Sequence, residues 1–153
     1  MKKYSRQEQK LLAIWAADCA ERVLPFFKKA YPKDKRPIKA IKKCREWAQT
    51  GIFKMADIRK ASLDSHAAAR KAKKNNAACF AARAAGQAVA TAHVPRHAFG
   101  AAYYALKLFA EISPKRAVRE LDWQTMHMPK KLRKGWRDWQ SKCLPKNLMR
   151  TFL

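Results

Sequence analysis

Between Ala77 and His93 the chain reads AACFAARAAGQAVATAH, and this run constrains the fold more than any other stretch. Alanine is the best helix former because it gives up no side-chain freedom in a helix. Such a helix offers little side-chain volume, so it becomes stable only where neighbouring helices pack closely against it. The charge distribution agrees. From Ala77 to Ile112 the only cations are Arg83, Arg96 and Lys107 and the only anion is Glu111; the other 32 of the 35 Lys and Arg residues lie in the flanking segments. The low-charge middle is therefore expected inside, as a helical hairpin wrapped by basic outer helices. Alanine recurs elsewhere too, 28 times in all and 16 times between Ala56 and Ala98, whereas 4 Gly and 7 Pro leave little material for a turn-rich β fold. We expect an all-α, single-domain multi-helix bundle of about six to seven helices spanning residues 1–153 around an alanine-rich central hairpin.

Local chemistry marks the helix ends. Ser5 and Glu8 form an S-x-x-E capping box, which opens helix one. Its apolar series is Leu11, Leu12, Trp15, Ala16, Cys19 and Val23, and Pro25 is expected to kink or end it. Helix two has Pro37 in its first turn, carries Ile38, Ile41, Cys44 and Ala48 on one face, and stops at Thr50-Gly51. Helix three is expected from Lys54 to Lys74, with Asn75-Asn76 as the break and Asn76 as the cap of a fourth helix, Ala77 to His93. Pro95 opens helix five, with Phe99, Tyr103, Leu106 and Phe109 on its face, and Ser113-Pro114 starts helix six. After Met128-Pro129, helix seven carries Leu132, Trp136, Trp139 and Cys143, and Pro145 leads into a short tail.

Cys19, Cys44, Cys79 and Cys143 are widely spaced and contain no C-x-x-C pair. Each sits among apolar helical residues, where a free thiol behaves as a small buried hydrophobe, and a reduced, cytoplasmic protein is expected. The apolar run Leu11 to Ala17 is followed at once by Asp18, Glu21 and Arg22, so no membrane span is expected.

With 11 acidic residues against 35 basic ones, the net charge is +24. A surplus of this size opposes compaction and draws polyanions or acidic proteins to the surface, or else serves solubility. Three basic patches stand out: Lys39, Lys42, Lys43 and Arg45; Arg70, Lys71, Lys73 and Lys74; and Lys130, Lys131, Arg133, Lys134 and Arg137. The last interleaves cations with Trp136 and Trp139, an arrangement that can hold a nucleic-acid strand by stacking and phosphate contact. The spacing Leu132, Trp136, Trp139 fits a core stripe better.

Catalytic patterns are thin. No Gly-rich phosphate loop and no G-x-S-x-G occurs, and most carboxylates are flanked by Lys or Arg. His93 and His97 have the H-x3-H spacing of a metal pair, but Pro95 between them places a helix boundary there, so histidines bridging helices are the better reading. Neither a catalytic set, a cofactor nor a metal is expected.

The stretch HAAARKAKKNNAACFAARAAGQAVATAHVPRHAFGAAYYALK (His66 to Lys107) resembles a bacterial family of immunity proteins, small helical chains predicted as partners of polymorphic toxins. WAADCAERVLPFFKKAYPKDKRPIKAI (Trp15 to Ile41) and RELDWQTMHMPKKLRKG (Arg119 to Gly135) resemble the same family in the same order. The resemblance implies a non-catalytic protein that neutralises a toxin by protein–protein contact. It singles out His66, Arg70, Arg83, His93 and His97 as motif positions that either hold helices together or form a surface pocket. At +24 such a partner needs an acidic surface, because opposite charge steers association. The alternative is a basic nucleic-acid-binding protein that contacts the phosphate backbone through the three patches.

Overall fold

A computed structural model describes residues 3–151. Among them every regular element is a helix: α1 (Arg6–Ala30), α2 (Arg36–Thr50), α3 (Met55–Lys71), α4 (Asn76–Ala90), α5 (His97–Ile112), α6 (Pro114–His127), α7 (Arg133–Cys143) and α8 (Lys146–Thr151), with a 3-10 turn at Lys130–Leu132. The fold is an all-α bundle, with one short C-terminal helix more than the sequence led us to expect. None of the described helices is long and apolar enough to cross a membrane.

Caps place the helix ends. Ser5 Oγ accepts from the Glu8 amide at 3.1 Å while the Glu8 carboxylate accepts from the Ser5 amide at 3.0 Å, closing both halves of the capping box. α2 ends at Gly51, whose φ of 70° is left-handed and whose N–H reaches the Trp47 carbonyl at 2.7 Å. Ser113 caps α6 by accepting from the Arg116 amide, and Pro114 takes the first turn, where no N–H is missed.

Several expected boundaries move. α1 does not end at Pro25 but continues five residues to Ala30. Proline removes one N–H, whose natural acceptor is the Glu21 carbonyl, and Glu21 and Pro25 are both exposed, so water can take that carbonyl. α3 stops at Lys71, leaving Lys73 and Lys74 in a turn. Asn75, not Asn76, caps α4, its side chain accepting from the Ala78 amide at 3.1 Å, while the Asn76 amide reaches Glu111. α4 ends at Ala90, because the turn that must reach Pro95 begins at Thr91.

α4 is the centre of the bundle. It packs against α1, α2, α3 and α5, and α5 in turn packs against α1 and α6. Ala78, Ala81, Ala82, Ala84, Ala85, Ala88 and Val89 are buried on a face broader than a single stripe, while Phe80, Arg83, Gln87 and Ala90 on the other side are half-buried. Short side chains let the backbones come so near that neighbouring residues bond to α4 directly. Ser65 and Ser62 of α3 donate to the carbonyls of Ala82 and Gly86 at 2.8 and 2.9 Å, and the Cys44 thiol of α2 lies 3.1 Å from the Ala88 carbonyl.

Against α5 the core turns aromatic. Trp15, Phe99, Trp136 and Trp139 form one cluster with ring centroids 5.2–6.2 Å apart, each such pair adding about 1 kcal/mol beyond the area it buries. Trp136 is fully buried and Trp139 half-buried, as a core stripe requires. The Trp15 indole donates to the Gln124 carbonyl at 2.8 Å, tying α1 to α6. Beside it lies Glu120, buried within α6 and gripped by both nitrogens of the Arg22 fork at 2.8–3.0 Å.

The cysteines divide. Cys19 and Cys44 are buried, and burial drives both thiols up, Cys44 to about 12. Cys79 is only half-buried and Cys143 is exposed, contrary to expectation, because Cys143 ends α7 after the aromatic core has been passed. All four are free thiols.

Candidate functional site

A groove of about 380 Å³ runs between α3 and the corner where α4 gives way to α5. Met55, Ile58, Arg59, Ser62, Leu63 and His66 recur at three- and four-residue spacing, so one face of α3 supplies one wall. Gln87 and Ala90 of α4, His93 in the turn and His97 at the start of α5 supply the other. The fold thus brings His66 into one cavity with His93 and His97, 27 and 31 residues further along the chain, so three of the four histidines share it.

Each imidazole is held differently. The Arg83 guanidinium can only donate, so at 2.9 Å it fixes His66 Nδ1 as an acceptor and leaves the ring proton on Nε2. Burial first, then the charges of Arg83 and Arg70, hold the His66 pKa down at about 4. His97 Nδ1 donates to the Gln87 side-chain oxygen at 2.8 Å, and burial together with His93 lowers its pKa as well. Both rings are therefore neutral near pH 7, offering hydrogen bonds rather than charge. His93 stacks on Phe53 with centroids 6.5 Å apart and planes 13° from parallel.

Two glycines make this arrangement possible. A Cβ on Gly86 would lie 2.7 Å from His66 Nε2, and one on Gly100 would lie 2.8 Å from the Gln87 oxygen. The His66 ring and the Gln87 amide occupy the space that side chains at these positions would fill. Gly86 stands alone in a helix of alanines, where glycine costs about 1 kcal/mol relative to alanine. That cost was the sequence signal for a close approach.

The groove mouth is apolar. Met55 and Leu63 of the lining, Phe53 stacked on His93, and Val94 next to His93 in the chain are four of the nine large hydrophobic side chains that stand exposed among the described residues, and Leu63 is 56% exposed. The other five are Ile14, Ile52, Ile112, Val118 and Met126, and Ile52 adjoins Phe53. None of the rim residues stands out as a site in the sequence. Arg59 adds a cation to the lining.

Of the motif positions, His66, His93 and His97 come together in this groove, Arg83 supports His66, and Arg70 lies one helical turn beyond His66 without lining the cavity. Among the described residues no three His, Cys, Asp or Glu side chains converge as a metal site needs.

The basic patches occupy separate places. Arg70 and Lys71 end α3 and Lys73 and Lys74 follow in the turn, beside the segment that opens α2 and close enough for Lys71 to act on Asp34. Lys130, Lys131, Lys134 and Arg137 lie near the opposite end of α1, where Tyr4 meets Gly135. The 25 residues of α1 put about 37 Å between these two ends. Arg133 is occupied in capping α6, donating to the carbonyls of Met126 and Met128 at 3.0 and 3.1 Å. Lys39 and Lys42 project from α2, Lys43 pairs with Glu46, and Arg45 bridges Asp18 and Glu21 at 2.7 Å each. The ion pairs among the described residues engage five basic side chains, Arg22, Arg36, Lys43, Arg45 and Lys60, leaving the cationic surface largely in place.

The family described as "Imm-5 like putative immunity protein" matches residues 2–131. No curated protein and no solved structure matches the chain.

Proposed function

Because the chain belongs to this Imm-5 like family of immunity proteins, we propose that it is a non-catalytic binding protein that neutralises a partner toxin by covering part of the toxin's surface, with the histidine groove as the contact. The observation that supports this reading is the apolar rim around the groove. Water-exposed Met55 and Leu63 line a cavity with exposed Phe53 stacked on its His93, and the cavity's polar groups, His66 and His97, are already oriented by Arg83 and Gln87. Exposed apolar patches of this kind mark protein contacts. Interfaces draw most of their energy from a few side chains that fill such a pocket.

The chemistry of the occupant follows. An apolar side chain of the toxin enters between Leu63 and His93, and carboxylates around it face Arg59 and the wider cationic surface. At +24 the protein steers an acidic surface toward itself and repels a basic one. A phosphate-backbone reading finds no comparable support, since its contacts need a continuous cationic stripe and the largest patches stand at opposite ends of α1.

Co-expression with the toxin domain encoded beside its gene is the test. The wild-type chain should restore growth and form a complex with that domain, while Leu63→Asp and Met55→Asp, both at solvent-exposed positions, abolish both effects with melting temperature unchanged. Failure of the wild-type chain to protect or to bind rejects the immunity reading. Full protection by both variants rejects the groove as the contact.

A further inference from the structure

A second cavity, of about 340 Å³, lies at the other side of α5, between Tyr4, the start of α5 and one face of α7. Its composition differs from that of the groove. Lys134, Asp138 and Lys142 recur every four residues along α7 and so share a face, and Arg96 stands opposite them. The lining thus holds three cations and one carboxylate. Neither lysine forms an ion pair with Asp138 among the described residues, although four-residue spacing would permit it. The floor is aromatic: Phe99 is buried and Trp139 half-buried, with Trp139 backed by Trp136 at 5.6 Å and 17°. Tyr4 closes one side, and its phenol lies so close over Gly135 that a Cβ there would collide with it.

We propose that this cavity binds a phosphate monoester carried on a flat ring, of which a mononucleotide is the simplest form. The phosphate sits among Arg96, Lys134 and Lys142, where charge-assisted hydrogen bonds are strongest. The ring lies on the Trp139–Phe99 floor, since base–aromatic stacking needs only a π face. Asp138, the lone carboxylate, suits a hydroxyl-bearing ligand over bare phosphate. The volume falls within the usual range for small-molecule sites, about 300–1,000 Å³. Its lining shares no residue with the groove proposed as the toxin contact, and Lys134, Asp138, Trp139 and Lys142 lie beyond the residues 2–131 that match the family.

Equilibrium dialysis of the full chain against AMP, adenosine and inorganic phosphate at about 0.15 M salt tests it. AMP should bind saturably, one per chain, and at least about tenfold more tightly than adenosine or phosphate. Lys134→Glu and Lys142→Glu should each weaken AMP by about tenfold with unchanged melting temperature, and Trp139→Leu should weaken AMP while leaving phosphate unaffected. Lys39→Glu and Lys73→Glu, both remote from the cavity, should bind as wild type. The proposal is overturned if AMP does not saturate, if it binds no better than phosphate, if the α7 variants bind normally, or if the remote variants lose as much as they do.

Discussion

Replacing Gly86 by alanine tests how the groove is built. The new Cβ would stand 2.7, 2.8 and 2.9 Å from three atoms of the His66 ring, about 0.7 Å inside ordinary contact. A free imidazole would swing aside at little cost. This one is held by Arg83 at Nδ1, and its helix is fixed to α4 by the Ser62 and Ser65 hydrogen bonds to the Gly86 and Ala82 carbonyls. Overpacking of this kind costs about 1–3 kcal/mol, and loosening the Arg83–His66 bond costs about 1 kcal/mol more. The alanine returns about 1 kcal/mol of helix propensity. The net expectation is a loss of about 1–3 kcal/mol, or about 2–12 °C in Tm for a chain of this size. In a His66→Ala background the obstruction is gone and only the propensity gain remains, so Gly86→Ala should then stabilise by about 0.5–1 kcal/mol. Urea unfolding followed by far-UV circular dichroism on the four proteins measures both values. If Gly86→Ala raises stability in the wild-type chain, or has the same effect in both backgrounds, the ring does not depend on that glycine.

Other perturbations probe the core and its ionisation. Arg22→Met strands the buried Glu120 carboxylate and should cost about 3–5 kcal/mol in urea unfolding; Arg22→Met with Glu120→Gln should recover much of it, and equal losses in the two would show that Glu120 is not the source. Trp136→Ala empties the middle of the aromatic cluster and should cost about 3–5 kcal/mol, clearly more than half-buried Trp139→Ala; the reverse order would mean that α7 is not anchored through Trp136. His66 is neutral in the fold down to pH about 4, whereas in the unfolded chain it takes a proton below about 6.5. Its contribution is therefore complete above pH 6.5 and is lost as pH falls toward 4, by about 1 kcal/mol once the solvent reaching the ring is allowed for. Comparing urea midpoints at about pH 7 and about pH 4.5 should show a smaller drop in His66→Gln than in wild type, and equal drops would exclude His66 as the cause.

Features with a local chemical cause were legible in the sequence. Ser5, Gly51 and Ser113-Pro114 fix helix ends through bonds within four residues, and the alanine-rich middle announced its burial through missing charge. What depends on distant partners was not legible. Pro25 is tolerated because it lies on the exposed side of α1, which no local pattern reveals. Asn75 and Asn76 are equivalent as caps in sequence, and the second is drawn off to Glu111, 35 residues away. Arg133 reads as one more cation in a basic run, yet its fork closes the end of α6. Trp47 is buried in α2, three residues after Cys44 on the same face. For the groove, the histidines were identified through resemblance, while the rim of Phe53, Met55 and Leu63 emerged only when α3 was seen to leave that side uncovered.

The encirclement of α4 also limits where such a chain can vary. An added methyl group on the buried face of that helix presses on one of four neighbours, so change there tends to be lost through instability. α3 and α7 each have a side turned to water and can exchange residues at little cost to the rest. The exposed surfaces can thus be revised repeatedly while the axle beneath them stays the same, keeping new surface chemistry independent of folding.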